Sequence, residues 1–139
     1  ALADCCYGPD DMAAPVSSGS YLTLGMIVAP CSVKSLAEIA SGVTTTLLSR
    51  AADVTLKERR RLVLMVRETP LHAGHLKNML AVTEMGGVIA LPVPAMYAGP
   101  SNLQDVIDHS LARALDLFGI HLEGVKRWGE DAKGTRRGK

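Results

Sequence analysis

Residues 62–66, Leu-Val-Leu-Met-Val, are five consecutive apolar residues with strand preference, bounded by arginines before and by Arg67 and Glu68 after. A strand alternating apolar and polar residues can leave one face in water, but this run cannot. It needs cover on both faces, as a central parallel strand has when helices pack on its sheet. In an open α/β sheet, ligands sit outside the carboxyl ends of the strands. That rule makes Arg67 and Glu68 candidates for a site.

The rest of the chain alternates around this strand. "GMIVAP" (25–30) is a short buried strand, and Ser32 in "CSVKSLAEIASG" can cap a helix ending near Gly42. Leu47, Leu48, Ala51, Val54 and Leu56 fall at helical spacing within 44–58, and a further helix runs from about Leu71 to Met85. "GGVIALPVP" supplies a third strand ending at Pro92. "SNLQDVIDHSLARALDLFGI" is a long amphipathic helix with Val106, Ile107, Leu111, Leu115 and Phe118 on its inner face. Strand and helix in regular alternation predict a three-layer αβα parallel sheet. Residues 1–24 are rich in turn formers and hold no strand long enough to start a sheet, 25–120 form the αβ core of a single domain, and 121–139 form a polar basic tail.

With 47% hydrophobic but only 4% aromatic residues, the core must be aliphatic. Fifteen Lys and Arg against fourteen Asp and Glu give a net charge of +1, no field for nucleic acid or an acidic membrane. Any anion site must be local. Cys5, Cys6 and Cys31 form no CxxC pair or disulfide framework, which fits a reducing compartment or inert thiols. No stretch approaches the roughly 20 apolar residues of a spanning helix, and no signal peptide is visible. These features predict a soluble, cytoplasmic protein.

The chemistry should lie in the three loops that follow the strands. After the first, Ser32, Lys34 and Ser35 stand at a helix N-terminus, where open N–H groups and the helix dipole favour an anion or a polar ring edge. Arg67 and Glu68 follow the second, and Tyr97 lies in the proline-bounded loop after the third. Each device alone is common in ordinary α/β domains; their convergence on one sheet edge points to a site. His72 and His75, spaced i and i+3, could form half of a metal site, but no third ligand with suitable spacing accompanies them, so they read as helix-start residues.

"IVAPCSVKSLAEIASG", "LLSRAADVTLKERRRLVLMVRETPL", "HLKNML", "PVPAMY" and "DHSLARALDLFGI" closely resemble the flavin prenyltransferase family, the UbiX group once described as aromatic acid decarboxylases. The likeness runs from about Pro15 to Ile120 in matching order and spacing. It implies a flavodoxin-like fold and transfer of a dimethylallyl group from its monophosphate to reduced FMN, without metal. The product would be prenylated FMN for a partner UbiD-type decarboxylase. It also implies a large homo-oligomer, in this family often a dodecamer, with FMN where subunits meet.

Residue by residue, the resemblance assigns Ser32, Val33, Lys34, Ser35 and Arg67 to FMN binding. It places Lys57, Glu68, Tyr97 and Arg113 around the donor phosphate, with Arg67 close by and Glu68 delivering a proton as the phosphate leaves. Glu68, Arg67 and Lys57 are the catalytic candidates, and Lys57, Tyr97 and Arg113 bind the donor. The physics agrees, since a departing phosphate is stabilised by fixed cations and hydrogen-bond donors. On its own, Arg113 would read as a helix-flank arginine that snorkels or pairs. Arg50 matches a family arginine but could equally pair with Asp53 or Glu58 along its helix. Trp128 resembles an aromatic that in this family can reach a neighbouring subunit's site.

The chain also departs from the family pattern. Members begin with a strand leading into a Gly-rich turn of the type "GASGA", which cradles the FMN phosphate, and then supply a serine and an acidic residue. None of these is found here, so the expectation is a fragment lacking the N-terminal strand and helix; a natural half-protein would expose one side of the sheet. Two other functions share the fold: an FMN-binding subunit without prenyl transfer, and a related flavin-dependent decarboxylase. The latter typically carries a "PxMNxxMW" motif where this chain has "PVPAMYAGP".

Overall fold

Strands β1 (Gly25–Cys31), β2 (Arg61–Val66) and β3 (Val88–Ile89) form a parallel sheet in the order β1-β2-β3. In this computed structural model, which describes residues 3–125 and 127, every residue of β2 after Arg61 is buried. The central position asked for by the apolar run is the one observed. Gly25 pairs with Arg61 and Val28 with Leu64, but Cys31 pairs with Val66, so β1 carries one extra residue before its end. Pro30 lies within that irregularity and has no N–H to give to a ladder.

Helices α1 (Val33–Ser41), α2 (Leu47–Lys57) and α3 (Ala73–Glu84) pack on the sheet through one core. Leu62, Leu64 and Val66 of β2 meet Leu36 and Ile39 of α1, Ala52 of α2, and Met79 and Val82 of α3. Val63 and Met65 point to the other face by the period-two rule of strands, and they too are buried. The helix limits follow local chemistry. Ser32 caps α1, and Gly42 closes it in the left-handed region that favours glycine. Thr46 and Ser49 form a reciprocal capping box on α2, so that helix starts at Leu47.

The third strand is shorter than the sequence suggested. Only Val88 and Ile89 pair with Val63 and Leu64, and Ala90 adds a single N–H to the Leu64 carbonyl at 2.9 Å. Pro92 and Pro94 cannot donate, which stops the ladder. The N-terminal segment forms no strand. It contains one 3-10 turn, Pro15–Ser17, and is tied to α2 by Arg50 donating to the Ser17 carbonyl and to the start of β2 by Arg60 donating to the carbonyls of Gly19 and Tyr21.

The chain divides into two compact units, Ala1–Pro92 and Val93–Lys139. The second contains the 3-10 turn Met96–Ala98 and helix α4 (Leu103–Asp116), capped by Asn102. Its burial differs from the expected inner face. Ala112 and Ala114 are buried and Val106, Leu115 and Phe118 half-buried, whereas Ile107 and Leu111 are exposed. Apolar spacing marks every face that can use cover, not only those this chain covers itself. Among the described residues, no helix is long and apolar enough to cross a membrane.

Candidate active site

At the carboxyl edge of the sheet the loops after β1 and β2 leave side by side, because the Arg67 N–H donates to the Cys31 carbonyl at 3.1 Å. That bond sets Arg67 beside the N-terminus of α1. There the Ser32 hydroxyl accepts from the Ser35 N–H at 3.1 Å and lies 3.1 Å from the Ser35 hydroxyl. The N–H groups of Val33 and Lys34, in the first turn of α1, have no acceptor within the helix. Ser32, Lys34, Arg67 and Glu68 are exposed. The donor set suits an anion or a ring edge rich in acceptors: open backbone N–H groups, two hydroxyls, a helix N-terminus and a guanidinium fork.

The groups around this edge are held in unequal ways. Lys34 reaches Glu38 at 3.6 Å with most of its side chain in solvent. The Thr45 hydroxyl donates to Glu38, the main reason that carboxyl lies below its usual range. Glu68 accepts from the Thr69 N–H at 3.0 Å, and no ion pair joins it to Arg67 among the described residues. Cys31 is fully buried, and burial pushes its thiol up to about 11, which makes it an inert floor under the loop.

Lys57 is elsewhere. It ends α2 at the amino end of β2 and is ion-paired with Glu58. Six residues of strand, about 20 Å at the usual rise, separate that end from Arg67. Within one chain Lys57 therefore does not join Arg67 and Glu68. Arg50 pairs with Asp53 at 3.1 Å and donates to Ser17, and so anchors the N-terminal segment. His72 caps α3, its Nδ1 accepting from the Gly74 N–H, and its ring stacks on His75 at 3.6 Å. Both are helix-start residues, although His75 Nδ1 is buried without a hydrogen-bond partner.

In the second unit Tyr97 sits on the 3-10 turn, exposed and edge-on to His109 at 6.1 Å. Arg113, two-thirds exposed, donates to Asp116 at 3.3 Å. Asp116 also accepts from His121 and, through both oxygens, from Arg127. Arg127 first, then His121, hold the Asp116 carboxyl far below the usual carboxylate range. A cavity of about 180 Å³ in this unit is lined by Asp105, Asp108 and Glu123, carboxylates that would repel a phosphate. Trp128 lies outside the described residues.

Two features had no sequence signal. Arg60 reaches the carbonyl of Gly19, 41 residues away, and Asp116 takes His121 and Arg127 from 5 and 11 residues further along the chain. The position of Lys57 does have a sequence signal, because a residue just before a strand cannot stand at that strand's carboxyl end.

Residues 6–115 match the family model described as Flavoprotein. The probable UbiX-like flavin prenyltransferase of Bacillus subtilis is 57% identical over 91% of this chain and 62% of its own length. AnUbiX (PadA1), solved in complex with FMN and dimethylallyl pyrophosphate, superposes with a TM-score of 0.90 at 57% identity, over 91% of this chain and 68% of that one. The dodecameric FMN-dependent UbiX-like decarboxylase of Escherichia coli O157:H7 gives a TM-score of 0.89 at 50% identity, over 91% of this chain and 69% of that one. The chain thus spans about two thirds of the length of the proteins it matches.

Proposed function

The chain belongs to the Flavoprotein family and, within it, to the UbiX flavin prenyltransferases; from that premise we propose that it transfers a dimethylallyl group from dimethylallyl monophosphate to reduced FMN. The observation that supports this reading is the Arg67 N–H bond to the Cys31 carbonyl, which brings the chain at Arg67 and Glu68 next to the N-terminus of α1. Reduced FMN supplies the electron-rich ring that accepts the prenyl carbon. Ser32, Val33, Lys34, Ser35 and Arg67 bind and orient it. The donor's C–O bond would break as the prenyl carbon bonds to the ring, the ring position would give up its proton, and the phosphate would leave with the electron pair. Tyr97 and Arg113 hold that phosphate, Arg67 adds charge, and Glu68 gives it a proton.

Lys57 serves the donor phosphate from a second copy of the chain, since its own Arg67 is a strand's length away. A homo-oligomer, like the dodecamer formed by the Escherichia coli relative, provides that copy. The prenylated flavin is then released to a UbiD-type decarboxylase in the cytoplasm. The test is anaerobic incubation of the protein with reduced FMN and dimethylallyl monophosphate, followed by mass spectrometry of the flavin. A mass gain of one dimethylallyl group is expected. Flavin that stays bound but unmodified would leave a flavin-binding subunit and overturn prenyl transfer.

A further inference from the structure

Asp116, the last residue of α4, is shared by three nitrogen donors, Arg113, His121 and Arg127. Arg127 donates Nη1 to its Oδ2 at 2.6 Å and Nη2 to its Oδ1 at 2.8 Å. His121 Nδ1 donates to Oδ1 at 2.8 Å, and Arg113, one turn back on the helix, donates Nη1 to Oδ2 at 3.3 Å. The Asp116 side chain is only 12% exposed, against 67% for Arg113. The two arginines therefore use the carboxylate differently. Arg127 makes the bidentate fork that fixes both groups. Arg113 makes one longer bond and keeps its other donors in solvent.

Charge decides what that leaves for Arg113. Two guanidinium groups share the one carboxylate, and Arg127 takes both of its oxygens at the shorter distances. Arg113 is thus held by a carboxylate whose repulsion toward an incoming anion is already offset. A long side chain fixed before binding loses less rotamer freedom when the anion arrives.

We propose that Asp116 is a positioning residue that latches the chain beyond α4 onto the helix's last turn through Arg127 and His121, and with the same carboxylate holds Arg113 in the orientation that receives the donor phosphate. The positioning half rests on the proposed role of Arg113. The latch does not.

Two variants separate the halves. Asp116→Asn removes the charge that both arginines use, whereas Arg127→Ala releases the latch and leaves the Arg113–Asp116 pair in place. Hydrogen exchange of amides 117–125 reads the latch, and both variants should speed it about tenfold. Calorimetric affinity for dimethylallyl monophosphate reads the positioning without requiring turnover. Asp116→Asn should weaken it about five- to tenfold and raise KM alike, with kcat and FMN affinity nearly unchanged, while Arg127→Ala should change it less than about twofold. Unchanged exchange in both variants overturns the latch. Faster exchange with unchanged donor affinity in Asp116→Asn overturns the positioning, as does an equal loss in Arg127→Ala. A wild-type protein that binds the donor without transferring it removes the prenyltransferase reading alone; one that does not bind it removes the positioning as well, and exchange still decides the latch.

Discussion

The two units hold their functional groups by different means. In the sheet unit, Ser32 and Arg67 are placed by backbone: a helix cap, a strand end and one main-chain hydrogen bond over a fully buried core. In the second unit, α4 carries Arg113 but its guanidinium is held by a side chain, through a carboxylate shared with Arg127 and His121. Backbone placement should resist pH and salt and fail only when packing fails. Placement by ion pairs should respond to both while leaving the fold intact.

The largest test of this contrast is in the core. Leu64 is fully buried in β2, so Leu64→Ala should cost about 2–5 kcal/mol, whereas Leu111→Ala on the exposed side of α4 should stay within about 0.5 kcal/mol. Urea unfolding curves measure both, and equal losses would show that Leu111 is covered in solution. Next are the two residues that end β2. Arg67→Ala should weaken FMN retention and turnover together, by about 1.5–3 kcal/mol for a lost charge-assisted contact. Glu68→Gln should keep flavin through gel filtration but slow single-turnover prenyl transfer. Wild-type rates in that variant would reduce Glu68 to a turn residue that accepts from Thr69.

Ser32→Ala should cost about 1 kcal/mol of stability, with a matching loss of flavin affinity, because the cap orders the N–H groups offered to the ligand. Stability lost without any change in affinity would separate the cap from the site. The smallest effect is the pH response of the second unit. Asp116 titrates below its unfolded value, so its contribution is complete above the ordinary carboxylate pKa of about 3.9 and is lost as the pH falls through and below that value. The difference in urea midpoint between wild type and Asp116→Asn should therefore shrink from pH 6 to pH 3. A constant difference would mean that the carboxylate's charge contributes nothing.

Much of the sheet unit was legible because its signals are local. Five apolar residues in a row marked β2, and Ser32 and Gly42 marked the ends of α1, since caps and turns act within a few residues. The convergence of Ser32 and Arg67 also followed from sequence, because parallel strands send their loops to one edge. β3 was overread because the prolines that end its pairing follow an apolar run that looks continuous. The face of α4 was misjudged because hydrophobic spacing records a need for cover and not its source. The Asp116 cluster was invisible because no local pattern links a helix-end carboxylate to a histidine and an arginine beyond the helix.

The separation of Lys57 from Glu68 by the length of β2 has a genetic counterpart. If each site draws its lysine from a neighbouring copy, a Lys57→Ala subunit and a Glu68→Gln subunit are defective at opposite ends, and each still has what the other lacks. Dissociating and reassembling the two impaired variants together should restore about a quarter of the sites to full rate on random mixing across a head-to-tail interface. Two silent alleles would then complement each other in one cell, while either alone would poison wild-type assemblies in proportion to its dose.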